Sequence, residues 1–112
     1  MAETSGEVRD DYAVIKLGDD SKKWFPMVQE YTIRIIANKV PRVAFVYEGI
    51  DALHSGGIAS LIFVYEQLRK NGVDITNCNM SDSQKRHILI KGTDYLVHTK
   101  ESRLEDFLNE NA

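Results

Sequence analysis

Val43-Ala44-Phe45-Val46-Tyr47 is an unbroken apolar run of strand length, and its reading decides the architecture. A strand with one wet face alternates apolar and polar residues, so an uninterrupted run predicts a strand covered on both faces, as in a parallel sheet. Pro41 stands just before it and blocks continuation of any preceding helix. A loop of residues 48–54 follows the run. From Ser55 onward Ile58, Leu61, Ile62, Tyr65 and Leu68 then mark one face of a helix, which Gly72 ends.

The same alternation continues in both directions. Upstream, Tyr12-Ala13-Val14-Ile15-Lys16-Leu17 reads as a strand closed by Gly18-Asp19-Asp20, and Gly6-Glu7-Val8-Arg9 is placed to pair with it across Asp10-Asp11. A helix is predicted over residues 21–38, capped by Asp20 or Ser21, with Pro26 near its start and Phe25, Val28, Tyr31, Ile35 and Ile36 facing inward. Its β-branched pairs, Thr32-Ile33 and Ile35-Ile36, lower intrinsic propensity, so packing must hold it. Downstream, Val73-Asp74-Ile75-Thr76-Asn77-Cys78 reads as a strand. A helix capped by Ser81 or Asp82 follows over residues 83–91, carrying Ile88 and Leu89 and ended by Gly92. Tyr95-Leu96-Val97-His98 is expected as the last strand. A helix capped by Ser102 follows it, with Leu104, Phe107 and Leu108 on one face, and residues 109–112 are expected to fray. The whole predicts an α/β fold, a mostly parallel four- to five-stranded sheet with about four helices joined by right-handed crossovers.

At 112 residues, 43% hydrophobic and 28% charged, the chain suits one core. Residues 6–109 are expected to form the single domain, with 1–5 as a flexible tail. Cys78 is the one cysteine, so no internal disulfide or multi-cysteine zinc site is available, and a reducing cytoplasm is the expected compartment. A net charge of -3 argues against a nucleic-acid partner held by phosphate contacts. No apolar stretch approaches the roughly 20 residues of a membrane span, so no membrane insertion is expected, and the N-terminus lacks the apolar centre of a signal peptide.

Ligand sites in parallel sheets gather where strands end and helices begin, which points to residues 18–20, 48–55, 80–83 and 99–102. The most informative of these loops is Asp51-Ala52-Leu53-His54-Ser55-Gly56-Gly57-Ile58, which sets a hydroxyl at a helix start beside two glycines. Phosphorylation of Ser55 would add about -1.5 to -2 charges at a helix end that favours anions by roughly 0.3–1 kcal/mol, so the fold should survive it. A partner carboxylate about 4 Å away would instead be repelled by about 4 kcal/mol per unit charge at an effective dielectric near 20, roughly a thousandfold in affinity before screening. The plainer role for Ser55 is an ordinary N-cap, and for His54 a polar loop residue rather than a pH sensor.

Other chemistries have less support. Asp19, Asp20, Asp51 and Lys100 are superficially similar to the acidic pair, acceptor and lysine of response-regulator receivers, but Asp51 comes one βα unit too early. No glycine precedes a Gly-Lys-Ser/Thr phosphate loop. His54, His87 and His98 lack metal-ligand spacing, and Cys78 reads as a small buried strand residue rather than a nucleophile. No catalytic residue, metal or cofactor is implied.

The order of elements, with His54-Ser55-Gly56-Gly57-Ile58-Ala59-Ser60-Leu61 opening the second helix, resembles the STAS domains of bacterial anti-sigma-factor antagonists over roughly residues 6–109. The family motif runs approximately Asp-Ser/Thr-Ser/Gly-Gly-Leu-Gly/Ala-x-Leu, and its first hydroxyl, the phosphoacceptor, falls on Ser55. His54 stands where the family has aspartate, and Gly18-Asp19-Asp20 only approximates its Gly-Glu-Leu-Asp stretch, two departures that bear on kinase recognition. The resemblance implies a non-enzymatic, partner-switching regulator of transcription. Unphosphorylated Ser55 would permit binding to an anti-sigma factor or histidine-kinase-like serine kinase, and a serine/threonine phosphatase would reset the modified form. The binding surface implied is Asp19, Asp20, His54, Ser55, Gly56 and Gly57. A second resemblance is to STAS subunits that stabilise lipid-transport ATPase complexes, whose Thr-Gly-Gly-Leu motif is similar to Ser55-Gly56-Gly57-Ile58.

Overall fold

A computed structural model describes residues 3–50, 55–90 and 99–111. Five strands, β1 (Ser5–Val8), β2 (Ala13–Lys16), β3 (Arg42–Val46), β4 (Asp74–Cys78) and β5 (Lys100–Ser102), form one sheet in that order, so the apolar run occupies its middle. β2 to β5 are parallel, with Ala13 opposite Val43 and Val43 opposite Ile75, while β1 returns antiparallel along β2. The helices described are α1 (Trp24–Ala37), α2 (Ser55–Lys70), α3 (Asp82–Ile90) and α4 (Leu104–Glu110).

Strand side chains alternate between faces, and each face has its own cover. Ala13, Ile15, Val43, Phe45 and Ile75 pack with Val28 and Ile35 of α1 and Leu61, Val64 and Leu68 of α2. Val14, Ala44, Val46 and Cys78 meet Phe107 of α4 on the opposite face. β3 is therefore covered on both sides, as its lack of polar residues predicts.

Three expectations are corrected, and a fourth falls outside the described residues. The inward face of α1 is Trp24, Val28, Thr32 and Ile35, with Tyr31 and Ile36 half-buried against the same core as expected. Phe25 turns outward, 44% exposed, against Phe63 of α2. The cause is one residue earlier: the Trp24 indole Nε1 donates to Gly18 O at 2.6 Å, which draws Trp24 into the core and rotates its neighbour out. Thr32 is buried at no polar cost, since its hydroxyl donates to Val28 O at 2.8 Å. The predicted strand Tyr95-Leu96-Val97-His98 lies outside the described residues, as do the side chains of Ile88 and Leu89. The fifth strand observed is the polar Lys100–Ser102. Ser102 thus ends a strand rather than capping α4, and its hydroxyl donates to Arg103 O. Finally, α4 runs on to Glu110, and Asn111 beyond it accepts from Arg42 Nη1 at 2.8 Å, so that end is tied to β3. At the other terminus Thr4 Oγ1 accepts from Gly18 N at 3.0 Å.

Candidate functional site

The parallel strands deliver their carboxyl ends to one edge of the sheet, where the loop after β2 meets the first turn of α2 and the exit from β3 meets α3. Asp20 initiates a 3₁₀ turn over Ser21–Lys23, its Oδ1 accepting from Lys22 N at 3.1 Å. That turn lies against α2. A Cβ built on Gly57 would come within 2.7 Å of both Cβ and the carbonyl oxygen of Ser21, closer than side-chain atoms pack. Gly57 is therefore a glycine because the 3₁₀ turn and α2 approach too closely for any side chain. Gly56, one residue earlier, is exposed and a Cβ there would meet nothing within 4 Å.

Three of the predicted binding residues thus converge: Asp19 and Asp20 arrive on the loop whose next residue, Ser21, touches the helix turn holding Gly57. Both aspartates are half-buried and border a groove of about 340 Å³ with Glu3, Thr4, Lys23 and Met27. Asp20 has a structural task as well as any binding one, since it caps the turn. Ser55 is the first residue of α2, a helix with no acidic residue in its first turn. Asp51 and His54, with the Ser55 side chain, lie outside the described residues. Lys100, from the receiver-like set, sits in β5 at the sheet's far side, exposed.

Residues that sequence reasoning passed over organise this edge. Gln84 is buried on α3; its Nε2 donates to the carbonyls of Tyr47 at 3.1 Å and Ile50 at 2.8 Å, both on the exit from β3. A signal for it was present, because Ser81-x-x-Gln84 has the form of a capping box. Asn79 adopts a left-handed conformation, φ 57°, and its Oδ1 accepts from Leu104 N at 3.1 Å, capping α4 from another loop. No local window carries that signal. Beneath α2, Tyr47 and Tyr65 hydroxyls are 2.8 Å apart, Tyr65 donates to Asn77 Oδ1 at 2.5 Å, and Asn77 Nδ2 donates to Thr99 Oγ1 at 2.8 Å. This polar line crosses an otherwise apolar core and fixes α2 on the sheet by directional bonds.

Cys78 is buried on the α4 face, and burial pushes its thiol up to about 11 from 9.0, away from the reactive thiolate. Lys85 is held protonated above its usual range by its bond to Glu101, an ion pair that ties α3 to β5. Among the described residues no group of three His, Cys, Asp or Glu is placed to hold a metal, and no helix is long and apolar enough to cross a membrane.

A mixed five-stranded sheet in sequential order, with α1 and α2 on one face and α4 on the other, is the STAS fold, the fold of an anti-sigma-factor antagonist. The chain is similar to the Bacillus cell fate determinant SpoIIAA in its phosphorylated form, with a TM-score of 0.72 at 14% identity over 96% of this chain and 98% of that one. It is equally similar to the anti-sigma factor antagonist SpoIIAA in its unphosphorylated form, TM-score 0.72 at 14% identity over 96% of each chain. A third neighbour, the protein TM1081, gives 0.74 at 7% identity over 94% of this chain and 84% of that one. In sequence, no protein-family model and no curated protein matches the chain. At such identities the likeness is one of fold.

Proposed function

We propose that this chain is a cytoplasmic anti-sigma-factor antagonist, a protein-binding switch without catalysis of its own, turned off by phosphorylation of Ser55. The observation that carries the reading is the placement of Ser55 at the first residue of α2, next to the exposed Gly56 and in the same loop cluster as Asp19 and Asp20. The first-turn N–H groups favour an anion there, and no acidic residue in that turn opposes one. The equal likeness to both forms of SpoIIAA supports the same mechanism, because a scaffold shared by both forms leaves charge, not unfolding, as the difference a partner detects. The partner surface is Asp19, Asp20, His54, Ser55, Gly56 and Gly57. Its occupants are an anti-sigma factor or histidine-kinase-like serine kinase, and a serine/threonine phosphatase that restores binding.

The double glycine does not favour the transporter-subunit alternative. Gly57 is required by its contact with Ser21 whichever partner the surface serves.

The test has two parts. Intact mass after incubation with lysate and ATP should show one added phosphate that is absent in Ser55→Ala. Against the partner recovered by affinity capture, Ser55→Ala should bind as tightly as the unmodified protein, and Ser55→Asp roughly 10- to 1,000-fold more weakly, the range from screened to unscreened repulsion. Equal binding by both variants overturns the charge switch, and capture of a transport ATPase in place of a kinase-like protein overturns the choice of partner.

A further inference from the structure

α1 and α2 lie on the same face of the sheet, and each follows a strand of its parallel part, so the two helices run side by side in the same direction. Their register is fixed at two places. Ser21 meets Gly57, and further along Phe25 meets Phe63, with ring centroids 6.1 Å apart. Both rings stand outside the core: Phe25 is 44% and Phe63 47% exposed, and Ile33, two turns beyond Phe25 on the same stripe of α1, is 58% exposed. Single apolar side chains on a surface need no explanation, but two phenyl rings in contact with each other form a patch.

The charges beside the rings are ordered. Lys22 stands three residues before Phe25 and Glu66 three residues after Phe63; both are exposed, and neither side chain makes an ion pair among the described residues. Residues three apart are neighbours on a helix surface, about 5 Å along its axis. The aromatic pair therefore has a positive charge on one side, carried by α1, and a negative charge at a similar distance on the other side, carried by α2. A two-fold axis standing on the pair exchanges α1 with α2 and reverses their direction. That operation sets Phe25 of one copy on Phe63 of the other and Lys22 on Glu66, each contact occurring twice. Gln29, one turn after Phe25, falls on exposed Ala59, one turn before Phe63, so a long side chain meets a short one. We propose that this face of α1 and α2 is the interface of a homodimer, its occupant a second copy of this chain. Charge complementarity selects that occupant, because the patch matches its own rotated image in sign as well as in shape. Nothing in this face depends on Ser55.

Sedimentation velocity of the full chain, from about 5 to about 500 µM, should show a monomer–dimer equilibrium with a Kd of about 10–100 µM, as suits a small interface. Lys22→Glu and Glu66→Lys should each weaken it about tenfold or more, since either change sets two like-charge pairs in the dimer. An equimolar mixture of those two variants should associate within about threefold of the parent, because each copy then meets the opposite charge on its neighbour. Phe63→Ser should leave a monomer throughout. Leu108→Ser, which removes an exposed apolar side chain on α4 across the sheet, should leave the parent Kd unchanged. All four positions are exposed, and urea denaturation verifies that each variant folds. A parent chain that stays monomeric at the highest concentration overturns the proposal and leaves the face to a different protein. A dimer that survives Phe63→Ser overturns it in favour of another surface, and a mixture that associates no better than its components overturns the two-fold pairing.

Discussion

Gly56 and Gly57 are adjacent and chemically identical, yet they answer to different constraints. Gly57 faces the backbone of Ser21 with no room for a methyl group, whereas Gly56 faces open space. Gly57→Ala should therefore cost about 1–3 kcal/mol, the usual penalty of overpacking. It should also displace Ser21 and, with it, the loop of Asp19 and Asp20, weakening partner binding beyond the loss of stability. Gly56→Ala should be neutral or stabilising by up to about 1 kcal/mol, because alanine suits a helix better than glycine and meets no neighbour. Urea denaturation of the two variants checks the pair, and equal destabilisation would show that both glycines are there for the same reason. In the sequence motif the two glycines stand side by side with nothing to tell them apart. Only the distance to Ser21, contributed by a separate loop, divides them.

Among elements, legibility followed how local the determining interactions are. β3 was plain because its apolar side chains alone state that both faces are covered. The inward face of α1 was misjudged by one residue because Trp24 is set by a bond to Gly18 O, outside the helix. β5 was invisible as a strand: Lys100-Glu101-Ser102 has no apolar alternation and earns its place only by pairing with β4. α4 is the sharpest case. Arg103 at its N-cap makes no side-chain cap bond, and Asn79, 25 residues away, supplies the oxygen instead. Asn79→Gly keeps the left-handed backbone and removes this cap together with the long, exposed bond from Asn79 Nδ2 to Glu48 Oε2 at 3.5 Å, so it should cost about 1 kcal/mol. Asn79→Ala also loses the cap and sets at φ 57° a residue that tolerates the left-handed region less well than asparagine does, and it should cost about 2–3 kcal/mol. In both variants faster amide exchange should be concentrated in residues 104–110, and uniform loosening of the whole chain would refute the capping role.

At the scale of the molecule, the sheet separates two cores of unequal size. The larger, under α1 and α2, supports the edge where Ser55 begins its helix, and the smaller is Val14, Ala44, Val46, Cys78 and Phe107 under α4. Cys78 makes that smaller core sensitive to alkali. Its thiol is neutral when folded up to about pH 11 and ionises near 9.0 once exposed, so above pH 9 the unfolded chain binds fewer protons than the native one. The sign follows: stability is unaffected below pH 9, falls as the pH rises from 9 to 11, and levels off beyond. The loss attributable to Cys78 reaches about 2–3 kcal/mol at the upper end. Lys85, held protonated by Glu101, also loses its contribution as the pH rises. The isolating measurement is therefore a difference between two proteins. Cys78→Ala should be less stable than the parent at pH 8 because it leaves a small cavity, and the gap should shrink steadily between pH 9 and 11. A gap that stays constant across that range would mean that the thiol is not the group withheld from solvent. The same burial predicts that Cys78 stays unmodified by thiol reagents at pH 8 until the protein unfolds, because α4 seals it against the sheet.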